Sequence, residues 1–142
     1  MAVLRQAQGE LTIPTQGKGL YLFTQEVARW LQLERAQDGL VTVFIQHTSA
    51  SVLVQENGDP EVRADLERFF SRLVPDGDPL FLHTAEGPDD MPSHVRSALT
   101  QSSLSIPVQR GAMTLGTWQG LYLFEHRKAP KQRHIVLNYQ GT

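Results

Sequence analysis

Histidine is the residue type on which chemistry in this 142-residue chain would have to turn. Five histidines occur, at 47, 83, 94, 126 and 134, and there is no cysteine, so thiolate nucleophiles, disulfides and Cys-ligated zinc or iron–sulfur sites are excluded. Any metal must be held by His, Asp or Glu. His47 opens the run His47-Thr48-Ser49-Ala50-Ser51, where an imidazole and three hydroxyls interrupt two apolar stretches, at a pocket edge or in a buried, hydrogen-bonded cluster. His83 and His94 flank the acidic segment Glu86-Gly87-Pro88-Asp89-Asp90. No HExxH or HxH pair is present, so only the fold can bring these imidazoles together, and each of them also reads as a surface or hydrogen-bonded structural residue.

Two further groups carry charge suited to phosphate chemistry. Asp89 and Asp90 form a carboxylate pair that could hold magnesium beside a diphosphate, or simply make a solvated turn and helix cap. Glu125, Arg127, Lys128, Lys131 and Arg133 could clamp a phosphate or form a charged hairpin tip, and His126 and His134 read as part of that basic surface hairpin. Neither GxxxxGK[ST] nor GxGxxG occurs, and Ser49 and Ser51 are not in a G-x-S-x-G elbow.

The elements that must position these residues follow from periodicity. An edge strand runs to Pro14, Gly17-Lys18-Gly19 turns, and Thr24 caps a helix with Val27, Trp30 and Leu31 on one face. Val41–Ile45 and Val52–Val54 are β-branched strand runs. Asp59-Pro60-Glu61 starts a helix on which Val62, Leu66, Phe69, Phe70 and Leu73 form an apolar stripe ending at Pro75. Leu80-Phe81-Leu82 suits a short strand, and a third helix, capped by Asp90 or Met91, carries His94 in its first turn. The remainder alternates as strands through Leu104–Val108, Met113–Leu115, Leu121–Phe124 and Ile135–Leu137. The expectation is a single α+β domain spanning 1–142, largely antiparallel and sandwich-like, with about three helices covering one face.

Bulk properties narrow the function classes. The formal charge of −2 argues against a nucleic-acid binder that relies on net charge. No apolar run approaches the ~18 residues that would span a bilayer, and the N-terminus lacks the apolar core of a signal peptide. The expected location is cytoplasmic, with neither membrane nor nucleic acid as partner.

Together, His47-Thr48-Ser49-Ala50-Ser51, Glu56-Asn57, Asp59-Pro60, Glu86-Gly87-Pro88-Asp89-Asp90-Met91-Pro92, His94, Leu115-Gly116-Thr117-Trp118-Gln119-Gly120 and Glu125-His126-Arg127 resemble the YjbQ family. The resemblance runs from about Gly19 to Gly141. That family is described as secondary thiamine-phosphate synthase. The resemblance implies a homotrimer with a pocket in which His47, His83 and His94 hold a divalent metal, zinc or magnesium. It implies that Thr48 and Ser49 orient the ligand or the residues behind it, that Asp90, Gln119 and Glu125 are polar pocket residues, and that a small phosphorylated metabolite is the substrate; the positive charge concentrated at Arg127, Lys128, Lys131 and Arg133 then suits a grip on its phosphate by Arg127 and Arg133. The implied reaction joins a pyrimidine diphosphate to a thiazole phosphate. Metal-assisted hydrolysis of a small phosphorylated or acylated metabolite, and a non-catalytic trimeric anion-binding module, stand as alternatives.

Overall fold

The computed structural model describes residues 3–142. In chain order the elements are β1 (Arg5–Thr15), β2 (Gly19–Leu22), α1 (Thr24–Leu33), β3 (Gly39–Ile45), β4 (Ala50–Glu56), α2 (Pro60–Leu73), α3 (Asp90–Leu99), β5 (Ser103–Gln109), β6 (Ala112–Met113), β7 (Gln119–Glu125) and β8 (Lys131–Gly141). They form a five-stranded sheet in the order β1-β8-β3-β5-β6 and a three-stranded sheet in the order β2-β7-β4. Every strand pair is antiparallel. This is the expected α+β architecture with three helices.

Alternation explains the layers. On β3 and β8 the residues Val41, Val43, Ile45, Ile135, Leu137 and Tyr139 point inward and are buried, while Leu40, Phe44, His134 and Gln140 between them are exposed. The inward set packs against Val52, Leu121 and Leu123 of the smaller sheet and Val27 and Leu31 of α1. Among the described residues no helix is long and apolar enough to cross a membrane.

The corner where the chain changes sheets positions the site. Residues 46–49 carry the chain from β3 to β4, and residues 126–130 carry it from β7 to β8. Both crossings lie at one end of the sandwich, because Ala50 pairs with Glu125 and Ile45 with Ile135. The segments around His47 and Arg127 therefore meet, and α3 packs across β4 beside them.

Three local expectations are corrected. Leu80–Leu82 is not a strand: Pro79 removes a donor, and the Leu80 and Phe81 N–H groups donate back to Asp78 Oδ1 (2.9 Å) and Asp78 O (3.3 Å), turning the chain. Thr24 is the first helical residue of α1 and not its cap; its hydroxyl instead accepts the Leu121 N–H at 2.9 Å. Helix α3 starts at Asp90, so His94 falls in its second turn. The α2 start is as expected, with Pro60 at its head and Asp59 Oδ1 accepting the Glu61 N–H at 2.9 Å. Its apolar stripe is only partly covered, leaving Phe69 and Leu73 about half exposed.

Candidate metal centre

His83, Asp90 and His94 each offer one ligand atom, and these atoms all lie within 4.8 Å of one another. Asp90 and His94 are four residues apart on α3, so they share a helix face. His83 arrives from the turn-rich connection before α3. His83 Nε2 lies 2.7 Å from Asp90 Oδ2, and His94 Nε2 lies 3.3 Å from the same oxygen.

The other nitrogen of His94 decides how its ring is used. Nδ1 is 2.8 Å from the Thr48 carbonyl oxygen, which can only accept, so the proton sits on Nδ1. Nε2 then faces the Asp90 carboxylate oxygen at 3.3 Å, where it can donate to that oxygen as an imidazolium or, as a lone pair, share a cation with it. A ring N–H held by a backbone carbonyl is the usual support behind a metal-binding histidine. Two imidazole nitrogens and a carboxylate oxygen form a donor set that fits a divalent ion. The hydrogen bond to Asp90, opposed by partial desolvation and aided by Glu86, raises the pKa of His83.

Asp90 is itself fixed from behind. It is 2% exposed, and its Oδ1 accepts from Arg127 Nη1 at 2.6 Å. Arg127 also donates from Nε to Asp89 Oδ2 (3.0 Å) and from Nη2 to the Glu86 carbonyl (3.0 Å). Burial opposes ionisation of Asp90, but hydrogen bonding with Glu86 and His83 and the charges of His94 and Arg127 prevail, holding its carboxyl below the usual range. Asp89 is held low in the same sense: burial is outweighed by the Lys128 backbone N–H and Arg127.

Arg127 is the last of three consecutive anchoring residues, and the first two correct the surface-hairpin reading. Glu125 is fully buried, not a pocket residue; it accepts from Thr15 Oγ1 (2.6 Å), Arg133 Nε (2.7 Å) and Nη2, and the backbone N–H groups of His126 (3.0 Å) and Arg127 (3.1 Å). Those bonds outweigh desolvation and lower its pKa. His126 is likewise fully buried. Arg96 Nε donates to its Nδ1 at 3.1 Å, leaving Nε2–H to donate to Ser51 Oγ at 2.9 Å. Desolvation, reinforced by the charge of Arg96, pushes its pKa down to about 2, so it is neutral. Arg96, also fully buried on α3, pairs through both Nη atoms with Glu67 of α2 and lies over the rings of Phe70 and Phe124.

The arginines expected to grip phosphate are therefore committed inside the protein. All three nitrogens of Arg127 serve Asp89, Asp90 and Glu86, and Arg133, 4% exposed, serves Glu125 and the oxygens of Ser49 (2.9 and 3.2 Å). The expected histidine triad changes too. His47 Nε2 accepts the backbone N–H of His134 at 2.8 Å, its ring stacks on that of His134, and burial followed by the charge of Arg133 lowers its pKa. That lone pair is occupied, and Asp90, not His47, completes the cluster with His83 and His94. His47 instead lines, with Thr48, His94, Ser97, Gln101 and Ser102, a groove of about 460 Å³ beside the cluster. Thr48 acts through its carbonyl and Ser49 through Arg133. Gln119 lies at the far end of β7, about 20 Å of strand from Glu125, where its Oε1 accepts the Gly116 N–H at 2.7 Å.

Residues 9–142 match the family described as UPF0047 protein YjbQ-like. A UPF0047 protein of Synechocystis sp. is 48% identical over 140 residues, covering 99% of this chain and 95% of the relative. The UPF0047 protein YjbQ of Escherichia coli O157:H7 is 44% identical over 135 residues, covering 94% and 97%. The chain belongs to the YjbQ family. A hypothetical protein from Aeropyrum pernix superimposes on this YjbQ-family chain with a TM-score of 0.88 at 28% identity, over 96% of this chain and 99% of that one. A conserved hypothetical protein from Thermus thermophilus gives 0.82 at 32% identity, over 91% and 97%. The YjbQ motifs around His47, Asp90 and Glu125 are the segments that meet at the sandwich corner.

Proposed function

We propose that this YjbQ-family chain is a metal-dependent enzyme acting through His83, Asp90 and His94, with thiamine-phosphate-synthase-like activity that joins a pyrimidine diphosphate to a thiazole phosphate. The observation that carries the metal reading is the bond from His94 Nδ1 to the Thr48 carbonyl, which turns the other nitrogen toward Asp90. A divalent ion there supplies positive charge for oxygens on which negative charge builds. Two imidazoles in the donor set favour zinc over magnesium, which prefers oxygen ligands.

The residues have separable tasks. Arg127 orients the Asp90 carboxylate, and Thr48 orients the His94 ring. His47, neutral and with Nε2 already accepting, keeps its ring proton on Nδ1 and serves as a donor of the groove wall beside Ser97 and Gln101. Because Arg127 and Arg133 are committed to carboxylates, a phosphate-bearing substrate is held by the ion and by neutral hydrogen-bonding groups.

Metal-assisted hydrolysis of a phosphorylated metabolite is a second reading, favoured by the count of three protein donors, which in catalytic zinc sites leaves one position for a reacting molecule. Pyrophosphate release from the pyrimidine diphosphate separates the two. Release that depends on thiazole phosphate supports the synthase; equal release without it supports the hydrolase. No release from metal-loaded protein would leave a binding module.

We also propose a homotrimer, built through the outer face of the five-stranded sheet. There Leu40, Thr42, Phe44, Val136, Asn138 and Gln140 present a surface without formal charge, with Phe44 and Leu40 about 40 to 45% exposed. Such a face suits self-association.

A further inference from the structure

A second cleft opens beside the His83, Asp90 and His94 cluster. It measures about 310 Å³ and is walled by Pro79, Phe81, Pro88, Met91, Pro92 and His83. His83 thus lines this cleft, His94 lines the groove, and the buried Asp90 carboxylate contacts both rings. The volume is at the small end of the range for small-molecule sites.

The cleft is built from a connection without regular structure, yet its shape is set. The Gly77 N–H donates to the Pro88 carbonyl at 2.9 Å and closes the base of the loop. The Gly87 N–H donates to the Thr84 carbonyl at 3.2 Å, and Lys18 and Lys128 both reach Asp76, at 2.7 and 3.2 Å. Gly77 and Gly87 hold φ values of 72° and 109°, which side-chain-bearing residues rarely adopt, and the prolines fix their own φ. A wall that is already ordered loses little entropy when a ligand enters.

The walls combine apolar faces with the polar groups of Asp78, His83 and Thr84. Proline rings, a phenyl ring and a thioether offer apolar faces, and the nearby Asp78 Oδ1 and Gly77 N–H are already hydrogen-bonded. Phenyl and thioether groups both make favourable contacts with a flat π-system. The groove beyond His94 is lined by Thr48, Ser97, Gln101 and Ser102 together with Ala50 and Ala98.

We propose that the cleft between Phe81 and Met91 binds a planar, uncharged ring of the substrate next to the metal centre. This assignment rests on the metal reading.

The test uses full-length protein titrated with zinc and then with three hydroxamates: acetohydroxamate, hexanohydroxamate and benzohydroxamate. Each carries the same metal-binding head. Benzohydroxamate should bind about tenfold or more tighter than acetohydroxamate and tighter than the hexyl probe, as stacking of its ring adds to burial. Phe81→Ala should remove that advantage and leave acetohydroxamate binding unchanged, while Gln101→Ala should keep the advantage. In the wild type, nuclear Overhauser contacts should connect the probe's ring protons to Phe81 and Met91, a readout independent of any variant. Zinc uptake with equal affinity for all three probes, or ring contacts to Ser97 and Gln101 instead, would overturn the ring site alone. Failure to take up zinc would overturn the metal centre and the ring site with it.

Discussion

Arg127 and Asp90 meet through a single short contact, Nη1 to Oδ1 at 2.6 Å, which leaves Oδ2 of the same carboxylate facing both His83 and His94. One oxygen is committed to structure and the other to the site. The end of β7 thereby sets the position of a carboxylate on α3.

Arg127→Met should accordingly damage two properties at once. Removing the guanidinium strands Asp89 and Asp90 in a buried setting, so urea denaturation should show a loss of about 3 kcal/mol. Zinc affinity of the folded variant should fall about 10- to 100-fold, as when a supporting partner of a ligand is lost. Unchanged zinc affinity would show that Asp90 needs no orientation from behind.

The buried His126 predicts a pH dependence of stability. Its folded pKa is about 2, against about 6.5 in the unfolded chain. Between those values the unfolded state binds a proton that the folded state does not, so stability falls as pH drops below the unfolded value. The contribution is about 1.4 kcal/mol per pH unit. His126→Gln, which can still accept from Arg96 and donate to Ser51, should reduce the slope by that amount between pH 6 and 5 in chemical denaturation; parallel slopes for variant and wild type would contradict a neutral, buried His126.

Helix α2 is predicted to hold on through one ion pair more than through its apolar stripe. It has no buried residue of its own, yet Glu67 receives both Nη atoms of the fully buried Arg96. Arg96→Met should destabilise the protein by about 3 to 5 kcal/mol, since it strands Glu67 and leaves His126 Nδ1 without its donor. A double-mutant cycle with Glu67→Gln should return a coupling of at least about 1 kcal/mol. A coupling near zero would assign the docking of α2 to Phe70 and Leu66 instead.

Much of the scaffold was legible because it is written in local pattern. The alternation of β3 and β8, the Asp59-Pro60 start of α2 and the breaks at Gly17, Pro75 and Gly111 are short-range signals. Leu80–Leu82 misled because apolar composition matches a strand, whereas the Asp78 side chain and Pro79 turn the chain locally. At the site, His83 and His94 were legible as residue types, and the i, i+4 spacing of Asp90 and His94 was available as a sign that they share a face. The status of His47, Glu125, Arg127 and Arg133 was not. Their charges and ring nitrogens are taken up by partners far away in sequence, such as Thr15 for Glu125 and the His134 backbone for His47, and no spacing rule reports such pairings. Arg96 was missed for the same reason: its position on a polar helix gave no sign that it would be fully buried.

The uncharged stretch that β3 and β8 present on the outer sheet face predicts self-association. Light scattering at micromolar concentration should give three chains per particle, and Phe44→Glu should shift the population to single chains while leaving the circular dichroism spectrum unchanged. A wild-type monomer would remove the trimer, and an intact trimer in the variant would move the interface elsewhere.

The central claim is the ligand set, and the most direct measurement of it is anomalous diffraction at the zinc edge from crystals grown with zinc and without chelator or tag. The account predicts one peak per chain, about 2.1 Å from His83 Nε2, His94 Nε2 and a carboxylate oxygen of Asp90, with His47 still accepting from the His134 backbone. A peak on His47 with no density between His83 and His94, or zinc-bound crystals with no peak at Asp90, would contradict it.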